Sequence, residues 1–233
     1  MKPEYAQKLI AKTIADYNRI ADLWSSKRAH LPNDIRDLKK YIAKGEKVLD
    51  LGCANGYLIE LFTGHESDYT GADVSNELIK ISQDKYPLGS YITIQPNEIP
   101  VEDNYFDKVF CLSTIHHIPS IEERLKFLAE IRRVLKPSGT LILTAWHISS
   151  AMHTWWEENK EKFTENEYFE KNDILYPFKN GDGETEIDRY IHCFDESELN
   201  DLLVKSGFKI HETNLVTRNN GQFGNILTIS EKI

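Results

Sequence analysis

Cysteine, basic charge and long apolar runs are all scarce in this chain of 233 residues. The three cysteines, Cys53, Cys111 and Cys193, are odd in number and lack C-x-x-C spacing, so neither a disulfide framework nor a zinc knuckle is indicated. No stretch reaches the roughly 18 apolar residues of a membrane span. The amino end, MKPEYAQKLIAK, lacks the apolar core of a signal peptide. We therefore expect a reduced, cytoplasmic protein without a membrane segment.

The charge balance limits the class of partner. Acidic residues outnumber basic ones and give a formal net charge of -9. This charge argues against a broadly basic surface that binds nucleic acid. Binding of nucleic acid would then require a local basic patch or a basic partner protein. The hydrophobic content of 40% is enough for a sizeable core. The chain is most simply one domain with an insertion.

The stretch KVLDLGCANGYL, residues 47–58, is the clearest local signal. Its VLDL segment predicts a buried parallel strand, since such strands are covered by helices on both faces and lack polar alternation. Gly52 and Gly56 then allow a tight turn, and YLIELF (57–62) continues as a helix. A strand, a turn and a helix in this order form half of a nucleotide-binding unit, whose ligand lies at the carboxyl end of the strand.

Two classes of ligand compete for this turn. The dinucleotide fingerprint G-x-G-x-x-G needs a glycine where this chain has Tyr57, so a pyrophosphate fits poorly. The stretch resembles the first motif of class I S-adenosylmethionine (SAM) methyltransferases, D-x-G-x-G-x-G, with Ala54 in place of the middle glycine. Their cofactor is a cation without phosphates. A carboxylate at Asp50 suits a cation and would repel a pyrophosphate.

A second acid supports a nucleoside ligand. Asp73 ends the next predicted strand about 20 residues beyond Gly52, the position from which a carboxylate binds ribose hydroxyls. Val74 offers an apolar face to an adenine ring. The family often has an acid after the third strand, where this chain offers Gln95 or Asn97. The cofactor-binding residues that we expect are Asp50, Gly52, Cys53, Ala54, Gly56, Asp73, Val74, Gln95, Asn97 and Ser113.

The alternation of strands and helices predicts an α/β fold. The resemblance implies a Rossmann-like, seven-stranded, mostly parallel sheet with helices on both faces and an antiparallel last strand. We expect a single methyltransferase domain over residues 1–233, with an N-terminal helical lid at 1–44 and an acceptor-reading insertion at 147–190. The predicted strands are 48–51, 69–74, 91–95, 106–113, 141–146, 208–216 and 225–229.

Two histidines and two arginines are candidates for contacts with the methyl acceptor. His116 and His117 follow the fourth predicted strand, at the crevice. No cysteine or carboxylate spacing accompanies the pair, so it does not predict a metal. We interpret one histidine as an acceptor contact and the other as packing, the alternative being that both are structural. Arg28 and Arg189 suit a carboxylate, because a guanidinium is costly to bury unpaired and binds a carboxylate through two hydrogen bonds.

Three segments, YNRIADLWSSKR, TIHHIPSIEERLKFLAEIRRVLKPSGTLILTAWH and DRYIHCFDESEL, narrow the family. Over most of residues 14–204, the chain resembles the methyltransferases that complete the wobble-uridine side chain of tRNA. Those enzymes esterify the carboxylate of 5-carboxymethyluridine with the SAM methyl group, leaving S-adenosylhomocysteine (SAH), and the eukaryotic ones work with a small zinc-binding activator protein. The resemblance thus implies SAM as cofactor, tRNA and an activator as partners, and catalytic roles for Arg28, His116, His117, Arg189 and His192.

The resemblance weakens between His147 and Glu186, where an acceptor would be read. The aromatic residues of this segment either stack on a base or belong to a helical cap, whose many acids would repel an RNA backbone. Two other functions stay open: a small-molecule O- or N-methyltransferase of the same fold, and a SAM-binding regulatory subunit without catalysis. The aromatic residues are Trp155, Trp156, Phe163, Tyr168, Phe169, Tyr176 and Phe178.

Overall fold

The computed structural model of the chain describes residues 1–28, 31–148, 150–159, 161, 169–218 and 223–233. Phe163 and Tyr168, two of the aromatic residues predicted to read the acceptor, lie outside these ranges.

The described strands form a seven-stranded sheet and a separate two-stranded hairpin. The large sheet has the order β3-β2-β1-β4-β5-β9-β8; β1 to β5 are parallel, and β9 is antiparallel to both of its neighbours. The predicted mostly parallel sheet with an antiparallel last strand is confirmed. The strands are β1 (Lys47–Leu51), β2 (Asp68–Asp73), β3 (Ser90–Thr93), β4 (Phe106–Leu112), β5 (Leu135–Trp146), β6 (Asp173–Lys179), β7 (Thr185–His192), β8 (Phe208–Arg218) and β9 (Phe223–Lys232).

Helices cover both faces of the sheet. Serine or aspartate side chains cap three of them: Ser75, Ser120 and Asp195 each accept a hydrogen bond from a backbone N–H in the first turn. The described α-helices are α1 (Pro3–Arg19), α2 (Ala21–Ser26), α3 (Asn33–Arg36), α4 (Asn76–Lys85), α5 (Ile121–Val134), α6 (Ser150–Asn159) and α7 (Glu196–Lys205). The helix predicted after the first turn is a 3-10 helix, Tyr57–Phe62, and shorter 3-10 segments occupy Asp37–Tyr41 and Ile115–His117.

The two sides of the sheet have separate apolar cores. On one side, Leu31, Ile35, Leu38 and Ile42 pack with Val48 and other strand residues, which places residues 31–42 over that face. On the other side, α5 and α7 pack against the inner strands. The order of the strands reverses between β1 and β4, because β1 lies between β2 and β4. Parallel sheets bind ligands outside the carboxyl ends of the strands at such a reversal.

The insertion differs from a purely helical cap. It contains α6, but it continues as the antiparallel β6–β7 hairpin, in which Tyr176 pairs with Arg189. The stretch GDGET, residues 181–185, leads from β6 into β7. Among the residues that the structure describes, no helix has both the length and the apolar character needed to cross a membrane.

Candidate functional site

A cavity of about 250 Å³ lies at the carboxyl ends of β1, β2 and β4. One face of α1, with Ile10, Thr13, Ile14 and Tyr17, forms part of its wall. Twelve of the predicted site residues line it: Arg28, Asp50, Gly52, Cys53, Ala54, Asp73, Val74, Asn97, Ser113, His116, His117 and Arg189.

The turn after β1 is built by a close approach and two left-handed backbones. Gly52 has φ 80°, and a Cβ there would lie 2.1 Å from Oγ1 of Thr114, so only glycine fits. Thr114 donates a hydrogen bond from Oγ1 to the carbonyl of Leu51 at 3.3 Å, which holds the loop after β4 against this turn. Ala54 has φ 49°, the left-handed region, although it carries a Cβ. Ala54, at the position of the middle glycine of the motif, therefore adopts a backbone conformation that favours glycine.

Asp50, at the floor of the cavity, is 3% exposed and accepts a hydrogen bond from Oη of Tyr69 at 2.7 Å. Burial raises the pKa of this carboxyl to about 7, and the nearby charge of Asp73 acts in the same direction. Near neutral pH the carboxyl is therefore balanced between its two protonation states. A cation bound beside it would favour the ionised form.

Asp73 is held rigidly at the end of β2. Its Oδ2 accepts from the N–H of Ala54 and its Oδ1 from the N–H of Ser75, both at 2.9 Å. Burial raises the pKa of the Asp73 carboxyl, while these two amides oppose the rise. Since each carboxylate oxygen accepts more than one hydrogen bond, the group keeps acceptor capacity toward the cavity.

The two histidines are fixed as neutral rings with defined tautomers. The carbonyl of Tyr190 lies 3.0 Å from Nδ1 of His117, so Nδ1 carries the proton, and Tyr17 donates from Oη to Nε2 at 3.0 Å. In His116, Nδ1 accepts from the N–H of Trp146 at 3.3 Å, which leaves the proton on Nε2. Burial lowers the pKa of His117 to about 3 and that of His116 well below its ordinary value, and Arg189 adds to both effects.

Arg189 is the buried cation of the site. It is 9% exposed, and its Nε is buried without a hydrogen-bond partner. Its guanidinium carbon lies 5.4 to 5.8 Å from the ring centroids of Trp146, Tyr176 and Phe178. Within the described ranges no carboxylate forms an ion pair with it. A buried guanidinium held only by aromatic rings is suited to an anionic ligand.

Arg28 lies on the same cavity wall as Arg189. Its guanidinium carbon is 4.0 Å from the centroid of the Trp24 ring, and the Nδ2 of Asn55 donates to its carbonyl at 3.2 Å. Burial of Trp24 at 8% exposure agrees with a packing role for that ring, which also supports the arginine.

The chain is similar in sequence to known methyltransferases. Residues 49–143 match the family model of a methyltransferase domain. The chain is 27% identical over 167 residues to a tRNA (carboxymethyluridine(34)-5-O)-methyltransferase of Arabidopsis thaliana, covering 70% of this chain and 39% of that relative. It is 30% identical over 152 residues to a ubiquinone biosynthesis O-methyltransferase of Coxiella burnetii, covering 59% of this chain and 63% of that relative. The chain thus spans less than two thirds of either relative.

Solved structures give the same fold. A SAM-dependent methyltransferase from Methanosarcina mazei superposes with a TM-score of 0.70 at 21% identity, over 88% of this chain and 99% of that one. A Haloferax volcanii methyltransferase, solved in complex with the Trm112 methyltransferase activator, gives 0.69 at 16% identity, over 94% and 96%. The chain contains a class I SAM-dependent methyltransferase domain. The predicted fold and the predicted methyltransferase domain are confirmed.

The cavity of the methyltransferase domain fits its expected cofactor. Two carboxylates, Asp50 and Asp73, suit the cationic and ribose parts of SAM, and both face a cavity whose walls are otherwise largely apolar. Val74 and Ile94 supply flat apolar contact for an adenine ring. Asn97 has φ 59° and donates from Nδ2 to Oε2 of Glu123 at 2.9 Å, so its amide oxygen is the part left to accept from adenine. That last contact stays a prediction.

Three predicted residues of the methyltransferase domain do not line the cavity. A Cβ on Gly56 would lie 3.0 Å from Ser82 and Tyr91, so this glycine serves packing of the helix behind the turn. Gln95 sits in an isolated bridge with Glu98. The expectations of cofactor contacts at Gly56 and Gln95 are thus not supported by the geometry.

His192 lies outside the site because of the two-residue period of a strand. Arg189 and His192 are three positions apart on β7, so their side chains point to opposite faces. His192 is 1% exposed, with Nδ1 2.7 Å from Asp173 and Nε2 2.8 Å from Glu198. These two carboxylates raise the pKa of His192 against the effect of burial, and their hydrogen bonds give the ring a structural role. The catalytic role expected of His192 is not supported.

His192 also belongs to a group of possible metal ligands that the sequence did not indicate. Glu170, Asp173 and His192 each bring one ligand atom within 4.8 Å of the others. However, Arg124 donates to Glu170 at 2.6 Å, and Tyr190 donates to Asp173 at 2.6 Å. Glu170 and Asp173 already have hydrogen-bond donors in Arg124 and Tyr190. We therefore interpret the cluster as a structural network of charged and polar groups.

Helix α1 is tied to both halves of the methyltransferase site. Its Tyr17 donates to His117 on the acceptor side. The adjacent Asn18 accepts at Oδ1 from Oγ of Ser75 at 2.8 Å, and Ser75 in turn holds Asp73 on the cofactor side. Tyr17 lies within the lid predicted at 1–44, whereas Thr114 and Trp146 line the cavity without having been predicted as site residues. The rule that strand ends line the crevice points to both, since they follow or end β4 and β5.

Proposed function

We propose that this domain transfers the SAM methyl group to the ionised carboxylate of a 5-carboxymethyluridine-type wobble nucleoside in tRNA. The observation that carries the proposal is Arg189, a buried guanidinium without an acidic partner among the described residues, in the same cavity as the two cofactor-side aspartates. Leaving such a charge uncompensated costs several kcal/mol by order of magnitude. A substrate carboxylate would supply the missing charge.

The protonation states of the site suit a carboxylate acceptor. SAM, when bound, supplies the methyl group from its sulfonium. The sulfur then becomes the neutral thioether of SAH. A carboxylate is already ionised near pH 7, so no base is needed. Arg189, together with the Nε2–H of His116, would orient the acceptor oxygen, and Arg28 lines the same cavity. A site that excludes water when its ligands are bound would favour a step in which cation and anion neutralise each other.

The similarity to a tRNA carboxymethyluridine methyltransferase supports the choice of acceptor, at 27% identity. A small activator protein is a second element of the proposal, supported by the solved complex of a structurally similar methyltransferase with the Trm112 activator. A cytoplasmic location is part of the same proposal. The competing candidate is a small-molecule O- or N-methyltransferase, favoured by the net charge of -9 and by the similarity to a ubiquinone biosynthesis O-methyltransferase.

An acceptor assay separates these functions. We expect radiolabelled SAM and tRNA from cells lacking this modification to give labelled RNA, and mild alkali to release the label, because a methyl ester is base-labile. Metabolite pools are tested as alternative acceptors. A tRNA that already carries the methyl ester serves as the negative control. Label that enters only small molecules would contradict the tRNA proposal, and label that resists alkali would contradict ester formation. Tight SAM binding without turnover on any acceptor would favour a regulatory subunit.

The pH dependence of the reaction tests the role of the histidines. Since the pKa of His117 is lowered to about 3 and that of His116 lies well below its ordinary value, both rings stay neutral throughout the neutral range. With saturating SAM and a carboxylate acceptor, kcat should therefore show no histidine inflection between about pH 6 and pH 9. An inflection near 6 to 7 that disappears in His117→Gln would show that this histidine acts as a base, as a hydroxyl or amine acceptor requires.

A further inference from the structure

The charge of this chain is distributed unevenly. Residues 27–47 contain seven Lys or Arg and three Asp or Glu, a net charge of +4, so the remaining residues carry -13 of the total of -9. Residues 157–192, which include the β6–β7 hairpin, contain eleven acids and five bases, a net charge of -6. A basic segment and an acidic segment therefore lie next to the same cavity, through Arg28 and Arg189 respectively.

The basic segment turns its charges outward. Its apolar residues at 31, 35, 38 and 42 are buried in the core on one side of the sheet. The basic residues between and beside them are exposed, and we call this set the basic face: Lys27, Arg36, Lys39, Lys40 and Lys44. An ion pair with Glu66 engages Lys44 at 3.0 Å. No ion pair joins the other four to an acid within the described part of the chain.

The basic face extends along the whole depth of the sheet. It begins beside Arg28 at the cavity, at the carboxyl ends of the strands. At its other end, Lys108 donates to the carbonyl of Tyr41. Lys108 pairs with Val48 near the start of β1, so this end lies at the amino ends of the strands. The face is thus a track that leads away from the mouth of the cavity on one side of the protein.

We propose that the basic face binds the phosphate backbone of the RNA stem whose loop presents the acceptor nucleotide. This inference rests on the proposed function and identifies the surface that the substrate contacts. A protein with a net charge of -9 repels RNA over most of its surface, so binding requires a local region of opposite sign. A nucleotide that enters the cavity is continuous with a stem, and a basic track starting at the cavity neutralises the phosphates of that stem.

The test uses the whole protein and a synthetic anticodon stem-loop carrying 5-carboxymethyluridine. We expect Lys39→Glu/Lys40→Glu to weaken stem-loop binding about tenfold or more and to reduce the slope of log Kd against log salt by about 2. Neither residue lines the cavity, so kcat/KM for the free 5-carboxymethyluridine nucleoside should match that of the parent protein. The matched control is Lys205→Glu/Lys209→Glu, which makes the same change in charge at exposed positions of α7 and β8. The control should leave binding within about twofold of the parent.

Stem-loop binding and methyl transfer are measured separately, so that failure of the binding surface is distinguished from failure of the proposed reaction. Unchanged stem-loop binding in the double variant, an equal loss in both variants, or no binding by the parent protein would overturn the inference. Parent protein that binds the stem-loop, is weakened only by the variant in the basic face, and methylates neither RNA nor nucleoside would retain the surface and reject the proposed function. Circular dichroism of each variant establishes that it is folded.

Discussion

Replacing Arg189 by glutamine should lower kcat/KM for a carboxylate acceptor by about 10²- to 10³-fold, the usual loss when a donor that stabilises charge is removed. The reason is that Arg189 is a buried cation whose guanidinium lines the cavity and whose Nε has no hydrogen-bond partner among the residues that the structure describes. Affinity for SAM should change little, because the cofactor contacts that we propose are made by Asp50 and Asp73. Steady-state kinetics together with calorimetric titration of SAM measure the two effects separately.

A conservative variant gives the control for Arg189. Arg189→Lys keeps the charge but loses the planar group that stacks on three rings and donates two parallel hydrogen bonds. It should recover only part of the activity. Equal losses of acceptor turnover and SAM binding in Arg189→Gln would show that the arginine holds the cavity together and does not bind the acceptor.

Replacing Asp50 by asparagine should stabilise the ligand-free protein and weaken SAM binding at the same time. The folded-state pKa of Asp50 is about 7 against an ordinary value of 3.8. A raised carboxyl pKa means that the folded protein binds the proton more tightly than the unfolded chain, so its stability falls as pH rises from about 4 to 7. By the usual conversion of a pKa difference, the loss in the free energy of unfolding approaches ~4 kcal/mol above pH 7. Asparagine cannot ionise, so the variant avoids this loss.

Thermal unfolding and calorimetry at several pH values test this prediction. Asp50→Asn should unfold at a higher temperature than the parent at pH 8 and at a similar one near pH 4. Its affinity for SAM should be about 10- to 100-fold weaker, the cost of losing a charged hydrogen-bonding group. In the parent, SAM affinity should rise with pH through about 7, whereas the variant should show no such rise. A variant that is destabilised at pH 8, or that binds SAM normally, would contradict a cofactor role for this carboxyl.

The cofactor half of the site was predictable because it depends on chain order alone. Asp50 and Asp73 follow neighbouring parallel strands, and carboxyl ends of parallel strands meet at one edge, so their proximity follows once the strands are identified. Gln95 does not line the cavity, because its position relative to β3 is set by the local bend after the strand, which ends at Thr93. Gly56 was assigned by the motif, while its surroundings show a steric role.

The acceptor half was predictable only in part. The sequence indicated Arg189 and both histidines, but not that β6 and β7 form a hairpin, since aromatic and acidic residues mix there without a clear period. Once β7 is known as a strand, alternation separates Arg189 from His192. The tautomers of His116 and His117 depend on the backbone groups of Trp146 and Tyr190, which are distant in sequence. Such long-range partners leave no local pattern.

The fastening of α1 bears on how ligands are exchanged. Tyr17 and Asn18 are consecutive, yet one is bonded to the loop after β4 and the other to the turn after β2. A displacement of this helix end breaks both bonds in one movement. We therefore expect that release of SAH and entry of the next acceptor depend on the same movement of the end of α1.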